Sequence, residues 1–402
     1  MPTATSNEST PRDIERRAAR RMRTRTLLSI DEVAPAEWNA LAADTCPFLR
    51  HEFLAALEHQ HCVGPGTGWT PRIVAIEDSA GMLLGAAPCY EKTHSRGEFV
   101  FDFSWARAYQ QTGLPYYPKL VVGVPFSPVT GQRLLLRANA GATDVRKQLI
   151  DALKAMAEER GCSSIHVLFP TATESEALSG AQFMKRSDCQ FHWHNRGYAS
   201  FDDFLESFTA EKRKKCRRER RRVEEAGIRF RTLAGSELDA ETWGDLYPLY
   251  ADTFARHGHA PYLTHGFFLE IARTLPEHLM LKVATLDDAL VGLAIFMVGS
   301  DTLYGRYWGT SGNYHSLHFE TCYYQGIDYC IERGLARFEP GTQGEHKVAR
   351  GFVPVAVHSN HWIADRRFAA AIGDYLAREG AAVERYTDVV REHVPYKRDP
   401  AG

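Results

Sequence analysis

The stretch LMLKVATLDDALVGLAIFMV, residues 279–298, contains two apolar runs of strand length that two aspartates separate. Such a pattern is typical of a β-hairpin. The chain continues with a strand pattern at 302–308, a helical pattern at 319–333 and a short strand pattern at 337–339. A glycine directly follows the helical pattern, as at many helix C-termini. We therefore predict that the second half folds in the order hairpin, strand, helix, strand.

The first half repeats this order. We predict a hairpin from residues 72–76 and 82–90, a helix at 149–160, a strand at 165–169, and a long aromatic loop at 102–131 before the helix. In both halves the helix ends in Glu-Arg-Gly. Repetition of several elements over so long a period indicates two duplicated domains rather than a solenoid.

Length and composition fit two globular α/β domains, since the 402 residues are 44% hydrophobic and 24% charged. We predict a flexible basic arm at 1–26, a first domain at 27–200, a joining basic helix at 201–231 and a second domain at 232–402. No apolar run is long enough to span a membrane, and no secretory signal is readable. The eight cysteines lack a C-x-x-C pair, which fits a reducing cytoplasm. We expect a cytoplasmic protein without stable membrane insertion.

Residues 212–222 are intensely basic, with nine lysines and arginines among eleven residues. At helical spacing an apolar stripe can anchor this segment, while the cations cover its other faces. The stripe would consist of Phe208, Cys216, Val223 and Ala226. Like charges one turn apart repel, so the segment favours contact with the phosphates of a nucleotide-linked substrate or an RNA. The alternative is a solvated face that nearby acids neutralise, namely Glu206, Glu219, Glu224 and Glu225.

Three segments carry a family resemblance. SFTAEKRKKCRRERRRVEEAGIRF (207–230) resembles the basic helix of the Fem-type transferases, which attach amino acids from aminoacyl-tRNA to peptidoglycan precursors. FEPGTQGEHKVARGFVPV (338–355) and YYPKLVVGVPFSPVTG (116–131) resemble the Fem-like predicted N-acyltransferases, a family also labelled for peptidoglycan biosynthesis or recognition. The resemblance covers about residues 27–397. It implies an α/β (α+β) fold with two tandem GNAT-like acyl-CoA N-acyltransferase-type domains and mixed central sheets.

The chain departs from classical acetyltransferases at the loop that binds the CoA pyrophosphate. That loop reads Q/R-x-x-G-x-G/A before a helix N-terminus, where free N–H groups favour anions. Residues 137–142 approach this pattern but are displaced by one position, and residues 307–319 contain glycines without the arginine. These departures favour aminoacyl-tRNA or another bulky donor over acyl-CoA. We predict no metal.

The loop after the strand at 337–339 contains the candidate catalytic residues. Amide formation needs a path for the amine proton and a donor for the developing oxyanion. The candidate bases are Glu339, Glu345 and His346, with Glu320 at the start of the preceding helix. Gly341 allows close approach of a substrate, and Lys347 and Arg350 are suited to a phosphate or carboxylate. The alternative is a polar surface loop whose glycines only make turns.

Further residues are predicted to bind substrate. Tyr304, Arg306 and Trp308 alternate along their strand and should share one face. The remaining candidates are Gln343 in the catalytic loop, Tyr116, Tyr117 and Lys119 in the first half, and Lys212, Arg213, Arg217 and Arg220 in the basic helix. For the first-half residues, simple core packing is the alternative.

The sequence thus predicts an N-acyltransferase that forms an amide bond on an amine. Aminoacyl-tRNA is the expected donor, and a cell-wall precursor or another small amine is the expected acceptor. One alternative is an acetyl-CoA-dependent N-acetyltransferase. Another is a non-catalytic protein that binds peptidoglycan precursor or RNA. DNA is not an expected partner.

Overall fold

A computed structural model describes residues 22–42, 46–138, 141–342 and 344–397. Residues 1–21 of the predicted arm lie outside this range. Residues 23–26, which the prediction also assigned to the arm, belong to the strand Arg23–Leu27, which pairs with Ile73–Glu77. Leu27 is fully buried, and the guanidinium of Arg25 lies 2.6 Å from the carboxylate of Glu77.

The first half contains strands β1 to β9 and helices α1 to α5. The strands are β1 (Arg23–Leu27), β2 (Trp69–Pro71), β3 (Ile73–Glu77), β4 (Leu83–Ala87), β5 (Cys89–Lys92), β6 (Lys119–Val122), β7 (Leu135–Leu136), β8 (Ser164–Leu168) and β9 (Met184–His194). The helices are α1 (Pro35–Asn39), α2 (His51–His59), α3 (Phe103–Gln111), α4 (Ala142–Glu159) and α5 (Ala172–Gly180), with 3₁₀ turns at Ile30–Glu32 and Pro47–Leu49.

The second half contains strands β10 to β15 and helices α6 to α12. The strands are β10 (Arg229–Ala234), β11 (Leu279–Leu286), β12 (Ala289–Val298), β13 (Thr302–Thr310), β14 (Arg337–Glu339) and β15 (Val353–Ile363). The helices are α6 (Phe201–Glu206), α7 (Ala210–Glu225), α8 (Ala240–Arg256), α9 (His265–Thr274), α10 (Leu317–Phe319), α11 (Gln325–Arg333) and α12 (Arg366–Arg391). A π-helical turn (Glu320–Tyr324) joins α10 to α11, and 3₁₀ turns lie at Gly235–Glu237, Pro276–His278 and Glu345–Arg350.

The two halves exchange their last strands. The large sheet has the order β10-β11-β12-β13-β14-β9-β15-β8-β6-β5-β2, and a smaller sheet has the order β1-β3-β4-β7. Strand β9 of the first half therefore lies beside β14, and β15 of the second half lies beside β8. Because the halves share one sheet, their boundaries at residues 200 and 232 remain a prediction.

The hydrophobic core also crosses between the halves. The rings of Phe48 and Tyr304 are 5.2 Å apart, and those of Phe53 and Phe267 are 5.4 Å apart, both in edge-to-face geometry. Such aromatic pairs add to the stabilisation that burial provides. The two halves are therefore joined by a common sheet and by a common hydrophobic core.

Several predicted elements are confirmed, including both hairpins and the helix that ends before Gly334. The predicted aromatic loop at 102–131 is wrong, because it contains α3 and β6. Helix α3 forms since Trp105 and Tyr109, one turn apart, are both buried. Strand β6 forms since its four residues are completely enclosed.

A β-bulge changes the direction of the side chains along β13. Tyr307 is opposite Ile295 in β12, whereas Gly305 is opposite Phe296, so Arg306 is an extra residue in β13. A bulge inserts one residue and interrupts the alternation of faces. The prediction that Tyr304, Arg306 and Trp308 share one face is therefore wrong.

Candidate functional site

Strands β13 and β14 are parallel and then separate. Their last pair joins Tyr304 to Glu339, after which β14 ends while β13 continues to Thr310. A cavity of about 310 Å³ opens at this point. We call it the Lys347 cavity. Ligands of α/β sheets commonly bind at the carboxyl ends of parallel strands. Side chains that line this cavity include Phe99, Tyr307, Trp308, His318, Cys322, Tyr323 and Lys347.

Lys347 is the charged group at the centre of this site. Its side chain is buried, and Nζ donates a hydrogen bond of 2.7 Å to the carbonyl oxygen of Gly341. Among the described residues, no carboxylate lies within ion-pair distance of Nζ. Burial lowers the pKa of Lys347 to about 7. A buried amine without a counter-charge gives up its proton more readily than one in water, so both protonation states are populated near neutral pH.

The turn that carries Lys347 is fixed at both ends. Gly344 and Gly351 have φ angles of 106° and 92°, which favour glycine. Between them, the guanidinium of Arg350 donates two hydrogen bonds of 2.8 and 3.1 Å to the carboxylate of Glu219 in α7. Arg350 also lies 3.3 Å from the centre of the Phe319 ring. Arg350, predicted to bind a phosphate or carboxylate, instead attaches the turn to α7.

The helical wall of the cavity contains the π-helical turn. Such turns are rare and frequently occur at functional sites. This one places Cys322 and Tyr323 in the wall, next to His318 of α10. Burial lowers the pKa of His318 to about 4 and raises the pKa of the Cys322 thiol. Both side chains are therefore neutral at physiological pH.

The three predicted carboxylate bases do not line the Lys347 cavity. Glu345 lies on the surface and accepts a hydrogen bond of 2.9 Å from the Tyr386 hydroxyl. Glu320 accepts a hydrogen bond of 3.1 Å from Arg220. Glu339 lines a different cavity, on the other face of β14. Glu339 and Glu345 thus lie apart. Glu339 is the last residue of β14, and its direction is set by that strand, whereas Glu345 begins a 3₁₀ turn at the surface.

His346 lies at the edge of the cavity wall. Its Nε2 is 2.8 Å from the hydroxyl oxygen of Tyr323, which lines the cavity. Burial lowers the pKa of His346, so the imidazole is neutral at pH 7. Among the predicted bases, His346 alone is joined to the cavity by a hydrogen bond within the described part of the chain.

The predicted substrate-binding residues of the second half divide between the two faces of the sheet. Arg306, Trp308 and Gly341 line the Lys347 cavity, whereas Tyr304 lines the same cavity as Glu339. The guanidinium of Arg306 donates a hydrogen bond of 2.6 Å to the carbonyl oxygen of Phe126 and thus links the halves. Gln343 lies outside the described residues.

The Lys347 cavity continues into a second space of about 280 Å³. The two spaces share Phe99, Tyr307 and Gly341 as wall residues. In the second space, His259 and Tyr262 from the loop between α8 and α9 cover the sheet. This space brings the first half, through Phe99, to the same site as Lys347.

The predicted first-half residues belong to a closed polar cluster. Nζ of Lys119 is fully buried and donates to Ser95, Glu98 and Asp102. The Tyr116 hydroxyl donates to Asp102 at 2.5 Å, and the Tyr117 hydroxyl lies 2.8 Å from that of Ser95. The contacts of Tyr116, Tyr117 and Lys119 are therefore those of core packing, the alternative to substrate binding.

Comparison with known proteins identifies the family. The FemAB_like family model, described as peptidoglycan biosynthesis/recognition, matches residues 29–398. The chain belongs to this family. A comparison with curated protein sequences found no match.

Two solved structures have the same overall arrangement as this FemAB_like chain. One is the C-terminal domain of a proposed lysylphosphatidylglycerol synthetase from Agrobacterium fabrum, with a TM-score of 0.54 and 9% identity over 86% of this chain and 96% of that one. The other is FemX, with a TM-score of 0.52 and 12% identity over 85% and 98% of the two chains. The predicted fold, two tandem GNAT-like halves with mixed sheets, is confirmed.

Cys216 and Val223 of the basic helix α7 of this FemAB_like protein are buried as predicted, as is Phe208 just before it, whereas Ala226 is exposed. Glu219 is buried against the turn of Lys347 and is not part of the solvated face. Four residues form a basic groove of about 310 Å³ beside Ala210, namely Arg213, Lys214, Arg217 and Arg221.

The two ends of α7 differ in their contacts. Arg213 and Arg217 form ion pairs with acids of α6, and Arg220 contacts Glu320 and Asp328. Lys212 is half-buried on the same helix. At the other end, the guanidinium of Arg222 donates a hydrogen bond of 3.2 Å to Nε2 of His315, in the loop before α10. The cations therefore extend to the residues that precede the cavity wall.

Sequence reasoning missed part of the cavity wall, including Tyr307, Cys322 and Tyr323. No sequence pattern identifies a π-helical turn, which is the feature that directs the last two inward. Within the described residues, no helix has the length and apolar character needed to cross a bilayer. The same part of the chain has no group of three or more His, Cys, Asp or Glu residues arranged to hold a metal ion.

Proposed function

We propose that this protein is an N-acyltransferase that transfers an aminoacyl group from aminoacyl-tRNA to an amine in the Lys347 cavity. The observation that carries the proposal is the buried Lys347 amine, whose lowered pKa leaves it partly neutral in a cavity between separating parallel strands. Membership of the FemAB_like family supports the reaction class.

In this mechanism Lys347 moves a proton from the attacking amine to the leaving group. The acceptor nitrogen forms a bond to the carbonyl carbon of the donor ester, and the neutral Nζ accepts the proton that this nitrogen loses. The ester C–O bond then breaks, and the Nζ ammonium donates its proton to the departing ribose oxygen. A proton carrier works best when its pKa lies close to the working pH. No carboxylate among the described residues of the cavity wall competes for this role.

The position of the basic helix supports a polyanionic donor. Its groove is lined by four cations, of which Arg213 and Arg217 are ion-paired, and Arg222 at the end of the helix contacts the loop that leads into α10 and His318. Cations along such a surface attract nucleic-acid backbones. We propose that the acceptor arm of a tRNA follows α7 and places its esterified end in the Lys347 cavity.

For the acceptor we propose a peptidoglycan precursor that has a free amine. The family description names peptidoglycan, and the second space beside Phe99, His259 and Tyr262 gives an acceptor its own approach to the cavity. Entry of donor and acceptor from different sides would bring the two reacting atoms together beside Lys347, which is where catalysis by proximity is strongest.

The test is an assay of transfer with bulk tRNA charged with radiolabelled amino acids and a soluble nucleotide-linked peptidoglycan precursor. We expect label in the precursor with the wild-type protein, and a loss of about 10² to 10⁴ in rate for Lys347→Met, the usual range for a lost acid–base group. Lys147→Met, an exposed lysine of α4, is a control for a missing positive charge outside both the cavity and the basic helix.

Two results would contradict this proposal. Transfer of an acetyl group from acetyl-CoA, without transfer from charged tRNA, would identify the protein as an N-acetyltransferase. Binding of precursor or RNA without any turnover, unaffected by Lys347→Met, would identify a non-catalytic protein.

A further inference from the structure

A second polar cavity lies on the other face of β13 and β14. Tyr304 and Glu339 form the last pair of these strands, and their side chains are directed away from α11. The cavity measures about 480 Å³, within the range of small-molecule sites. We call it the Glu339 cavity. Loop residues Thr130 and Gln132 of the first half form its opposite wall. Lys347 does not line it.

The carboxylate of Glu339 is buried and incompletely bonded. Its side chain is 6% exposed, and Oε2 has no hydrogen-bond partner. The other oxygen, Oε1, lies 3.5 Å from Nε of Arg337 and 3.9 Å from Nδ1 of His192. A buried acceptor without a donor is costly, so buried polar atoms are nearly always bonded. Because Glu339 lines the cavity, a ligand bound there can supply the missing donor.

With Glu339 included, the charged residues of the wall favour a positively charged ligand. Glu339 and Asp301 supply two carboxylates and Arg337 one guanidinium, so the formal charge of the lining is −1. Arg337 is already engaged, since it donates hydrogen bonds of 3.2 and 3.0 Å to the Thr302 hydroxyl. Hydroxyl groups of Thr130, Thr171 and Tyr304 add acceptors around the same space.

We infer that the Glu339 cavity binds a small molecule through its primary ammonium group, which donates a hydrogen bond to Oε2 of Glu339. An ammonium group carries three donors and one charge, and so satisfies the free oxygen and the net charge together. This inference does not depend on the proposed transfer reaction, because the two cavities share no lining residue.

The first test compares ethanolamine with N-acetylethanolamine by isothermal titration calorimetry. We expect ethanolamine to bind the wild-type protein at least tenfold more tightly than its uncharged N-acetyl form. Glu339→Gln should weaken ethanolamine binding at least tenfold, and the exposed Asp301→Asn about threefold. Lys347→Met should leave this binding unchanged, which separates the site from the transfer reaction. Equal binding of the two compounds, or unchanged binding in Glu339→Gln and Asp301→Asn, would overturn the inference.

The second test uses protons as the readout. Burial raises the pKa of Glu339 to about 7, so binding of a cation should release a proton from this carboxyl at neutral pH. Ethanolamine binding should therefore strengthen from pH 6 to pH 8, with proton release detected in buffers of different ionisation enthalpy. The titratable and charged groups around Glu339 are Arg337, Asp301, Tyr304 and Arg306 on its own strand pair, His192 on β9, and Cys46 and Arg133 from the first half.

None of these neighbours should reproduce the effect. Burial lowers the pKa of His192 to about 3 and raises the pKa of Cys46 to about 11, so neither titrates between pH 6 and pH 8. Glu339→Gln should abolish both the proton release and the pH dependence. The same pH dependence in this variant would refute the role of Glu339.

Discussion

The two parallel strand pairs of the protein occupy equivalent places in the two halves, and a different buried cation follows each pair. Beyond β6 and β8, the guanidinium of Arg133 is fully buried and donates to the carbonyl oxygens of Leu168, Val129 and Gln132. Beyond β13 and β14, Lys347 donates to the carbonyl oxygen of Gly341 and faces a cavity. The first pair is thus followed by a planar cation that donates to three carbonyl oxygens, and the second by a flexible amine that borders a cavity.

The comparison extends to the electrostatics of the buried lysines. Burial opposes the charge of Lys119, but the carboxylates of Glu98 and Asp102 outweigh it and raise the pKa of this lysine. Lys347 has no such partners among the described residues, so burial prevails and its pKa falls. Burial alone therefore does not decide the charge of a lysine. Lys119 keeps its proton because two carboxylates lie beside it, whereas Lys347, without such partners, loses its proton more readily.

The largest expected effect comes from removing the paired lysine. Lys119→Met leaves Glu98 and Asp102 buried without their main counter-charge, and breaking a buried pair in this way typically costs about 3 to 5 kcal/mol. Urea denaturation followed by circular dichroism measures the change. The matched substitution Lys347→Met should alter stability at pH 7 far less. Equal losses for the two variants would show that both lysines are structural.

In each pair a glycine directly follows the last paired residue of the first strand, and these two glycines extend the comparison to packing. A Cβ atom at Gly305 would lie 3.2 Å from Cα of Pro340, whereas a Cβ atom at Gly123 would lie 3.5 Å from Cβ of Leu168, an ordinary contact. Gly305→Ala should therefore cost about 1 to 2 kcal/mol, as overpacking against backbone does. It should also reduce transfer activity by displacing the strand that borders the Lys347 cavity.

Gly123→Ala is the control for that substitution, with an expected change within about 0.5 kcal/mol and full activity. Thermal unfolding and the transfer assay check both variants. A larger loss of stability for Gly123→Ala than for Gly305→Ala would contradict the prediction that the second strand pair has less space for an added Cβ atom.

Local sequence patterns predicted much of this fold, because hairpins and helix ends depend on neighbouring residues. Alternation and turn residues were sufficient for β11 and β12, and Gly334 marked the end of α11. The exchange of β9 and β15 was not predictable, since strand pairing over long distances leaves no local pattern. The predicted loop at 102–131 failed for a related reason, because its buried residues pack against distant parts of the chain.

The site was predictable as a segment but not as a geometry. The segment 339–347 does contain the cavity lysine, yet its acids were expected to be the bases. Strand register directs Glu339 to the opposite face, and the 3₁₀ turn directs Glu345 to the surface. One extra residue, Arg306, separates the faces of Tyr304 and Trp308. Such single-residue shifts reverse a side chain without changing the sequence pattern that surrounds it.

Per pH unit, the smallest effect expected of an altered lysine is the pH dependence of stability that a lowered pKa produces. An unfolded lysine keeps its proton up to about pH 10, whereas folded Lys347 loses it near pH 7. Between these values the unfolded chain binds more protons than the folded one, so a higher pH stabilises the fold. Relative to Lys347→Met, the wild-type protein should therefore gain up to about 1 kcal/mol per pH unit between pH 7 and pH 9. Urea denaturation of both proteins at three pH values measures this difference. A constant difference would mean that Lys347 remains charged, and an amine that stays charged could not accept a proton from the acceptor.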